Sequence, residues 1–130
     1  MTQAVTDLYV SAGLPDYYVN VFFFPIQQSL RYVAGKEASR VIWIEIIHVA
    51  RNWDGVDLEG PSKFKEAVNR VTEPYVRDDI HFEYVVIEGP AALWQINGID
   101  PPESFGPEQQ YVATQNKKLL DDLHQRLLSH

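Results

Sequence analysis

The sequence predicts an α+β fold: a mixed or mainly antiparallel sheet of four to five strands packed by two to three helices, including a long C-terminal helix. Nearly every residue over 41–50 is β-branched or aromatic, and a run of this kind and length is typical of a strand. Apolar residues recur at helical spacing in three other stretches, and strand-like runs follow one another with a helix between them. Adjacent strands and separate helices favour the α+β class.

The chain begins with a predicted helix over residues 2–12. Thr2 can cap its N-terminus, and Gly13 can end it in a left-handed conformation. Its apolar residues lie three or four positions apart, as on one face of a helix: Ala4, Val5, Leu8, Tyr9 and Ala12. The spacing therefore predicts a short amphipathic helix.

A strand and a hairpin are predicted next. Residues 17–24, YYVNVFFF, alternate between two aromatic-rich faces and stop at a proline, which predicts a strand. Residues 28–50 form a predicted hairpin around the loop that carries Gly35, although residues 27–30 fit a helical turn equally well. In its second arm, residues 41–50, alternate side chains point to opposite faces of the sheet. Both faces are apolar, so we expect both to be covered.

The second half of the chain continues with helices and strands. A helix is predicted to begin within residues 60–62 and to end or kink at Pro74. Residues 79–88 and 92–97 read as two strands joined by a turn. After an irregular loop, residues 108–128 are predicted to form the long C-terminal helix, roughly 30 Å in length.

Composition limits the classes of function. A chain of 130 residues predicts one domain. Eighteen acidic against 11 basic residues give a net charge of −7, which disfavours binding to nucleic acid or to anionic membranes. There is no cysteine, and no secretory signal or membrane-spanning run is recognised. We therefore expect a protein of the cytoplasm, or of a particle assembled there, that requires no cofactor.

Two residues of the central strand are the first candidates for chemistry. Glu45 and His48 form a possible acid–base pair in sequence, but a strand places them on opposite faces. For Glu45, on an apolar face, a structural pair or a subunit interface is favoured over a catalytic role because an unpaired buried carboxylate is costly. His48 is the better functional candidate, although a hydrogen-bonded structural histidine is the favoured interpretation.

Other polar groups are weaker candidates. The loop carboxylates Asp54, Asp57 and Glu59 do not follow the calcium-loop spacing. His81 and Glu83 share one face of a strand, where an ordinary exposed polar face is favoured over a metal site. The sequence contains no glycine-rich phosphate loop, zinc-binding helix, nucleophile elbow or dinucleotide fingerprint. No catalytic, metal or cofactor residue is therefore assigned from motifs.

The chain holds more large aromatic residues than a small sheet with two or three helices needs. Rings exposed together mark a protein interface or a ligand cleft, whereas the alternative is that they complete a small core. The residues predicted to line such a cleft or interface are Trp43, Glu45, His48, Arg51, Trp53, Tyr84 and Phe105.

The order of the elements over residues 1–97 carries one resemblance. A short helix, a strand, the strand VIWIEIIHVA, the helix SKFKEAVNRV and the hairpin IHFEYVVIEGPAALWQI follow one another as in tail-terminator or tail-completion proteins of tailed phages. The C-terminal helix departs from that pattern. The resemblance implies a ring-forming particle component, with no site residues.

Three hypotheses for function follow. The first is a non-catalytic assembly subunit that forms a homo-oligomer and contacts other proteins. The second is a small-molecule enzyme or binding protein with a cleft near Glu45, His48 and Trp53. The third is an acidic immunity or inhibitor protein, which requires a cluster of carboxylates from Asp54, Asp57, Glu59, Asp78 and Asp79.

Overall fold

A computed structural model describes residues 1–49, 53, 59–96, 98, 100–101 and 107–129 of the chain. Its helices are α1 (Thr2–Ser11), α2 (Glu59–Thr72) and α3 (Pro107–Leu128). Its strands are β1 (Tyr32–Val33), β2 (Lys36–Glu37), β3 (Val41–His48) and β4 (His81–Glu88). Short 3-10 turns lie at Asp16–Tyr18, Gln28–Leu30, Glu73–Tyr75 and Ala91–Leu93. The mixture of helices with small sheets confirms the α+β class.

The main sheet is a parallel pair. β3 and β4 pair along their whole lengths, from Val41 opposite His81 to His48 opposite Glu88. Helix α2 lies between them in sequence, and such a crossover returns the chain to the end of the sheet where the first strand began. The prediction of a four- to five-stranded, mainly antiparallel sheet is not confirmed, since the described residues form two sheets of two strands each.

The predicted strand over residues 17–24 is wrong. Its first residues form the 3-10 turn at Asp16–Tyr18, and the chain then runs on without pairing to any described strand. Phe22, Phe23 and Phe24 are consequently exposed. Alternation of side chains predicts two faces, but a strand also needs a neighbour to accept its backbone hydrogen bonds.

The hairpin around Gly35 exists but is shorter than predicted. β1 and β2 are antiparallel and are joined by Ala34 and Gly35, which have φ of 51° and 77°. Positive φ at both central residues is the conformation that two-residue hairpins require. β3 is not the second arm of this hairpin. The predicted strand over residues 92–97 is wrong at its start, where residues 91–93 form a 3-10 turn; Ile96 forms a single β-bridge, and residue 97 lies outside the described residues.

One face of the β3–β4 sheet is covered and the other is open. The even-numbered side chains of β3, and those of β4 as far as Val86, are at least half-buried. On the odd-numbered face, Trp43, Ile47 and Ile87 are exposed. Among the apolar side chains of the described ranges, those most deeply buried are Tyr18 and Val68, at 8% and 3% exposure. The expectation that both faces are covered therefore fails within a single chain.

The C-terminal ends of α1 and α2 match their sequence signals, whereas the predicted cap Thr2 is the first residue of α1, whose N-cap is Met1 without a side-chain hydrogen bond. Gly13, with φ of 96°, follows α1, and Pro74 lies in the 3-10 turn that succeeds α2. Lys117 of α3 donates a hydrogen bond from Nζ to Oδ1 of Asp16 at 2.9 Å.

Within the part of the chain that the structure covers, no helix is both long and apolar enough to cross a bilayer.

Candidate active site

Two titratable side chains meet at the C-terminal ends of the parallel strands. His48 is the last residue of β3 and Glu88 is the last residue of β4, and they are register partners. His48 Nε2 lies 3.7 Å from Glu88 Oε1. Because the strands are parallel, both carboxyl ends lie at one edge of the sheet, which is where loops deliver further functional groups.

Aromatic rings surround the histidine. The centroid of the His48 ring lies 5.0 Å from that of Trp53, 5.5 Å from Phe64 and 6.4 Å from Tyr9. These rings come from the loop after β3, from α2 and from α1. His48 is only 7% exposed. The site is therefore an imidazole beside a carboxylate, enclosed on several sides by apolar ring faces.

Glu88 also binds the backbone of Trp53. Its Oε1 accepts a hydrogen bond from the backbone N–H of Trp53 at 2.8 Å. The neighbouring Gly89 donates its N–H to the backbone oxygen of His48 at 2.9 Å. A Cβ at Gly89 would lie 2.7 Å from Val49 Cγ1, closer than carbon atoms approach in practice, so the Val49 side chain would have to move to admit any larger residue at this junction of the two strands.

Two buried donors lie in the ring cluster. Tyr9 Oη and Trp53 Nε1 are both shielded from solvent and have no hydrogen-bond partner among the described residues. Burial raises the pKa of Tyr9 to about 12, so its hydroxyl stays protonated at neutral pH. Buried donors without partners are rare in proteins and mark positions where a ligand can bind.

The structure brings together only part of the predicted cleft. His48 and Trp53 are in ring contact. Tyr84 shares the even-numbered face of the sheet but lies four residues before Glu88, against Phe82. Each strand residue adds about 3.3 Å, so Tyr84 is roughly 13 Å from the end of its strand.

The remaining predicted residues lie elsewhere. Trp43 and Glu45 are on the open face of the sheet, where Trp43 Nε1 donates to Glu45 Oε1 at 3.2 Å. Arg51 and Phe105 lie outside the described residues. Glu45 and His48 are separated by the sheet, as the alternation of side chains predicts.

Sequence reasoning missed three members of the cluster: Tyr9, Phe64 and Glu88. The sequence places Tyr9 on the apolar side of the first predicted helix, Phe64 within the second, and Glu88 at the end of a predicted strand. One signal could have found Glu88. A strand, a helix and a second strand in succession favour parallel pairing, and parallel pairing brings the last residues of both strands together.

The other polar candidates do not form a metal site. The described residues contain no group of three or more potential metal ligands. His81 and Glu83 are exposed and 3.4 Å apart on the open face. Glu59 pairs with Lys63 and Asp79 with Arg40, while Asp54 and Asp57 lie outside the described residues. The carboxylates required by the inhibitor hypothesis are thus not assembled in the part of the chain that is described.

Comparison with known proteins identifies relatives of the chain. Residues 1–117 match the model of a family described as "Putative oxalocrotonate tautomerase enzyme". The native form of RhCC from Rhodococcus jostii RHA1 superposes with a TM-score of 0.79 and 26% identity, over 88% of this chain and 82% of that one. A mutant of the same protein matches with the same TM-score and identity, over 88% and 76%.

A third solved structure comes from a fungus. It is described as "a probable enzyme from the thermophilic fungus Aspergillus fumigatus" and matches with a TM-score of 0.76 and 29% identity, over 88% of this chain and 80% of that one. A comparison with curated proteins finds no match.

These relatives overturn the resemblance to phage tail-terminator proteins. The family match covers most of the chain, and none of the matching structures is described as a virion component. The order of helices and strands was insufficient because the same order of elements occurs in unrelated folds. The interpretation as a non-catalytic structural subunit of a viral tail is therefore wrong, and the findings favour an enzyme-like protein.

Proposed function

The chain belongs to the oxalocrotonate tautomerase family, and from this membership we propose that it is a small enzyme that interconverts the enol and keto forms of an unsaturated keto acid. The match over residues 1–117 is the observation that carries the proposal. The His48–Glu88 pair within its ring cluster supports a site for such chemistry.

A tautomerase moves one proton and consumes no co-reactant. A base takes the proton from the enol oxygen, the electron pair of the O–H bond forms the carbonyl, and a carbon of the former double bond accepts a proton. His48 is the group proposed to carry that proton, since imidazole is suited to proton transfer near neutral pH. Glu88, 3.7 Å from Nε2, would stabilise the imidazolium while the proton is held.

The buried donors have a proposed role at the substrate oxygens. The hydroxyl of Tyr9 and the Nε1–H of Trp53 have no described partner, so each can donate to a carbonyl or carboxylate oxygen. Hydrogen bonds that form where negative charge develops lower the barrier most in a site that excludes water. The rings of Phe64 and Trp53 provide such an environment.

The test measures the decay of the dienol form of oxalocrotonate, which is monitored through its ultraviolet absorbance. His48→Gln removes the titratable ring and should reduce kcat/KM by roughly 100-fold or more, the usual contribution of a positioned acid–base group. His81→Gln is the matched control, because His81 also faces a glutamate but lies on the open face of the sheet. We expect it to retain wild-type activity.

One result would contradict the proposed activity, and another would contradict the proposed role of His48. Wild-type protein that gives no acceleration over buffer removes the tautomerase assignment. Equal activity of the His48→Gln and wild-type proteins keeps the assignment but moves the chemistry away from His48.

We also propose that the chain functions as a homo-oligomer. The open face of the β3–β4 sheet and the exposed run from Phe22 to Phe24 support this, because contiguous exposed apolar surface marks an interaction site. Within the described chain, neither outer edge of this two-stranded sheet has a partner. Strands added by a second copy would enlarge the sheet to the four to five strands that the sequence predicts.

A further inference from the structure

A second cleft lies at the opposite end of the strands from His48. It has a volume of about 320 Å³ and is lined by Arg31, Arg40, Val41, Ile42, Arg77 and Ile80. His48 lies seven positions after Val41, which corresponds to roughly 23 Å along a strand. No short-chain acid can span that distance, so within one chain the two sites are separate.

The backbone carbonyl of each of the three arginines accepts a hydrogen bond. The backbone oxygen of Arg31 accepts from Ala38 N–H at 2.8 Å, in the hairpin of β1 and β2. That of Arg40 accepts from His81 N–H at 2.9 Å, and that of Arg77 from Ile80 N–H at 3.0 Å. Backbone segments from three parts of the chain thus meet around one cleft.

The charges of the cleft are only partly compensated. Arg40 forms an ion pair with Asp79. The Nε of Arg31 is shielded from solvent and has no hydrogen-bond partner among the described residues, and no described ion pair involves Arg77. Three guanidinium groups with one carboxylate leave a charge of about +2, although the whole chain carries −7. A cationic cleft on an acidic protein favours a divalent anion.

The apolar part of the lining selects the kind of anion. Val41, Ile42 and Ile80 form the rest of the wall, and aliphatic side chains favour a ligand with a hydrocarbon skeleton over an inorganic ion. We propose that this cleft binds a small dicarboxylate, with its carboxylates on the guanidinium groups and its carbon chain against the aliphatic residues. This proposal goes beyond the proposed function and does not depend on it.

The test is titration of the whole chain with succinate by calorimetry, with sulfate at equal ionic strength as the inorganic dianion. We expect succinate to bind about tenfold more tightly than sulfate, since two methylene groups would be buried. Arg77→Gln, which changes an exposed side chain, should weaken succinate binding by about tenfold or more, the usual effect of losing a charge-assisted hydrogen bond. Arg31→Gln should act in the same direction.

Two control variants make the outcome specific. Arg70→Gln removes the same charge from the exposed surface of α2 and should leave succinate binding unchanged. His48→Gln should also leave it unchanged. Loss of binding in His48→Gln but not in Arg77→Gln would place succinate in the His48 site and overturn the proposal without affecting the proposed tautomerase.

The proposal is also overturned if succinate does not bind, if sulfate binds equally well, or if Arg70→Gln weakens binding as much as Arg77→Gln. Chemical shift changes of the Ile42 and Ile80 amides on addition of succinate provide an independent reading. Shifts at these amides are the result expected from an occupied cleft.

Discussion

His48 and Tyr9 owe their candidate roles to their surroundings. A histidine that is 7% exposed, beside a carboxylate and three rings, can exchange a proton with a ligand without competition from bulk water. Tyr9 is kept neutral by the same burial, which raises its pKa to about 12. At the scale of single residues, exclusion of water therefore separates these groups from their counterparts on the surface, such as His81.

The raised pKa of Tyr9 predicts a loss of stability at high pH. Below pH 10 the hydroxyl is protonated in both the folded and the unfolded chain. Between pH 10 and about 12 the unfolded chain loses this proton while the folded chain retains it, so the free energy of unfolding falls as pH rises. Urea unfolding at pH 9 and pH 11 should show that the free energy of unfolding falls more between these two pH values for wild type than for Tyr9→Phe.

Tyr32→Phe is the matched control for this measurement, since it removes a hydroxyl from an exposed side chain. The control should keep the wild-type dependence on pH. An identical fall for wild type and Tyr9→Phe would contradict the assignment to Tyr9.

At the scale of elements, the site depends on how the ends of β3 and β4 meet. The parallel register places His48 opposite Glu88, and the bond from Gly89 N–H to His48 O extends the pairing by one step. Gly89 permits this close approach because a side chain there would contact Val49. The junction consequently fixes both the imidazole and the carboxylate.

Gly89→Ala should separate the two strand ends. The added Cβ would lie 2.7 Å from Val49 Cγ1, so we expect a loss of about 1–3 kcal/mol in the free energy of unfolding, as for other overpacked sites. Activity of the proposed enzyme should fall as well. Chemical denaturation and the dienol assay measure the two effects.

Val49→Ala removes the methyl group that the new Cβ would meet, so the double variant should be more stable than the sum of the single changes predicts. Strictly additive effects of the two substitutions would show that the contact with Val49 is not the cause.

At the scale of the whole molecule, the chain exposes more surface than a compact monomer of its mass usually does. Its accessible surface is 9819 Å², whereas a monomer of 14.9 kDa exposes about 7,000 Å². Ile47 on the open face is 66% exposed. These features support the homo-oligomer as the functional unit.

Ile47→Asp tests whether the open face is an interface. In a monomer the change adds a charge to the surface and should alter the free energy of unfolding by less than about 0.5 kcal/mol. If a second copy covers the face, the unpaired carboxylate would be buried and the oligomer should dissociate. Light scattering at several concentrations measures the mass of each variant.

Asn69→Asp places the same new charge on the exposed surface of α2 and should leave the mass unchanged. Wild-type protein that remains monomeric at the highest concentration would contradict the oligomer itself.

The sequence by itself determined α1, α2, α3, β3 and β4 to within a few residues, because the spacing of apolar side chains is a local property. It also determined that the chain carries more aromatic residues than its own core uses. It failed at residues 17–24, where the alternation of a strand was present but no described strand pairs with it.

Only the tertiary structure decided that β3 and β4 run parallel, that His48 meets Glu88 among the rings of Tyr9, Trp53 and Phe64, and that Arg31, Arg40 and Arg77 line one cleft. These groups are separated by up to about 80 residues along the chain. Their meeting depends on the direction and register of pairing between distant segments, and local periodicity specifies neither.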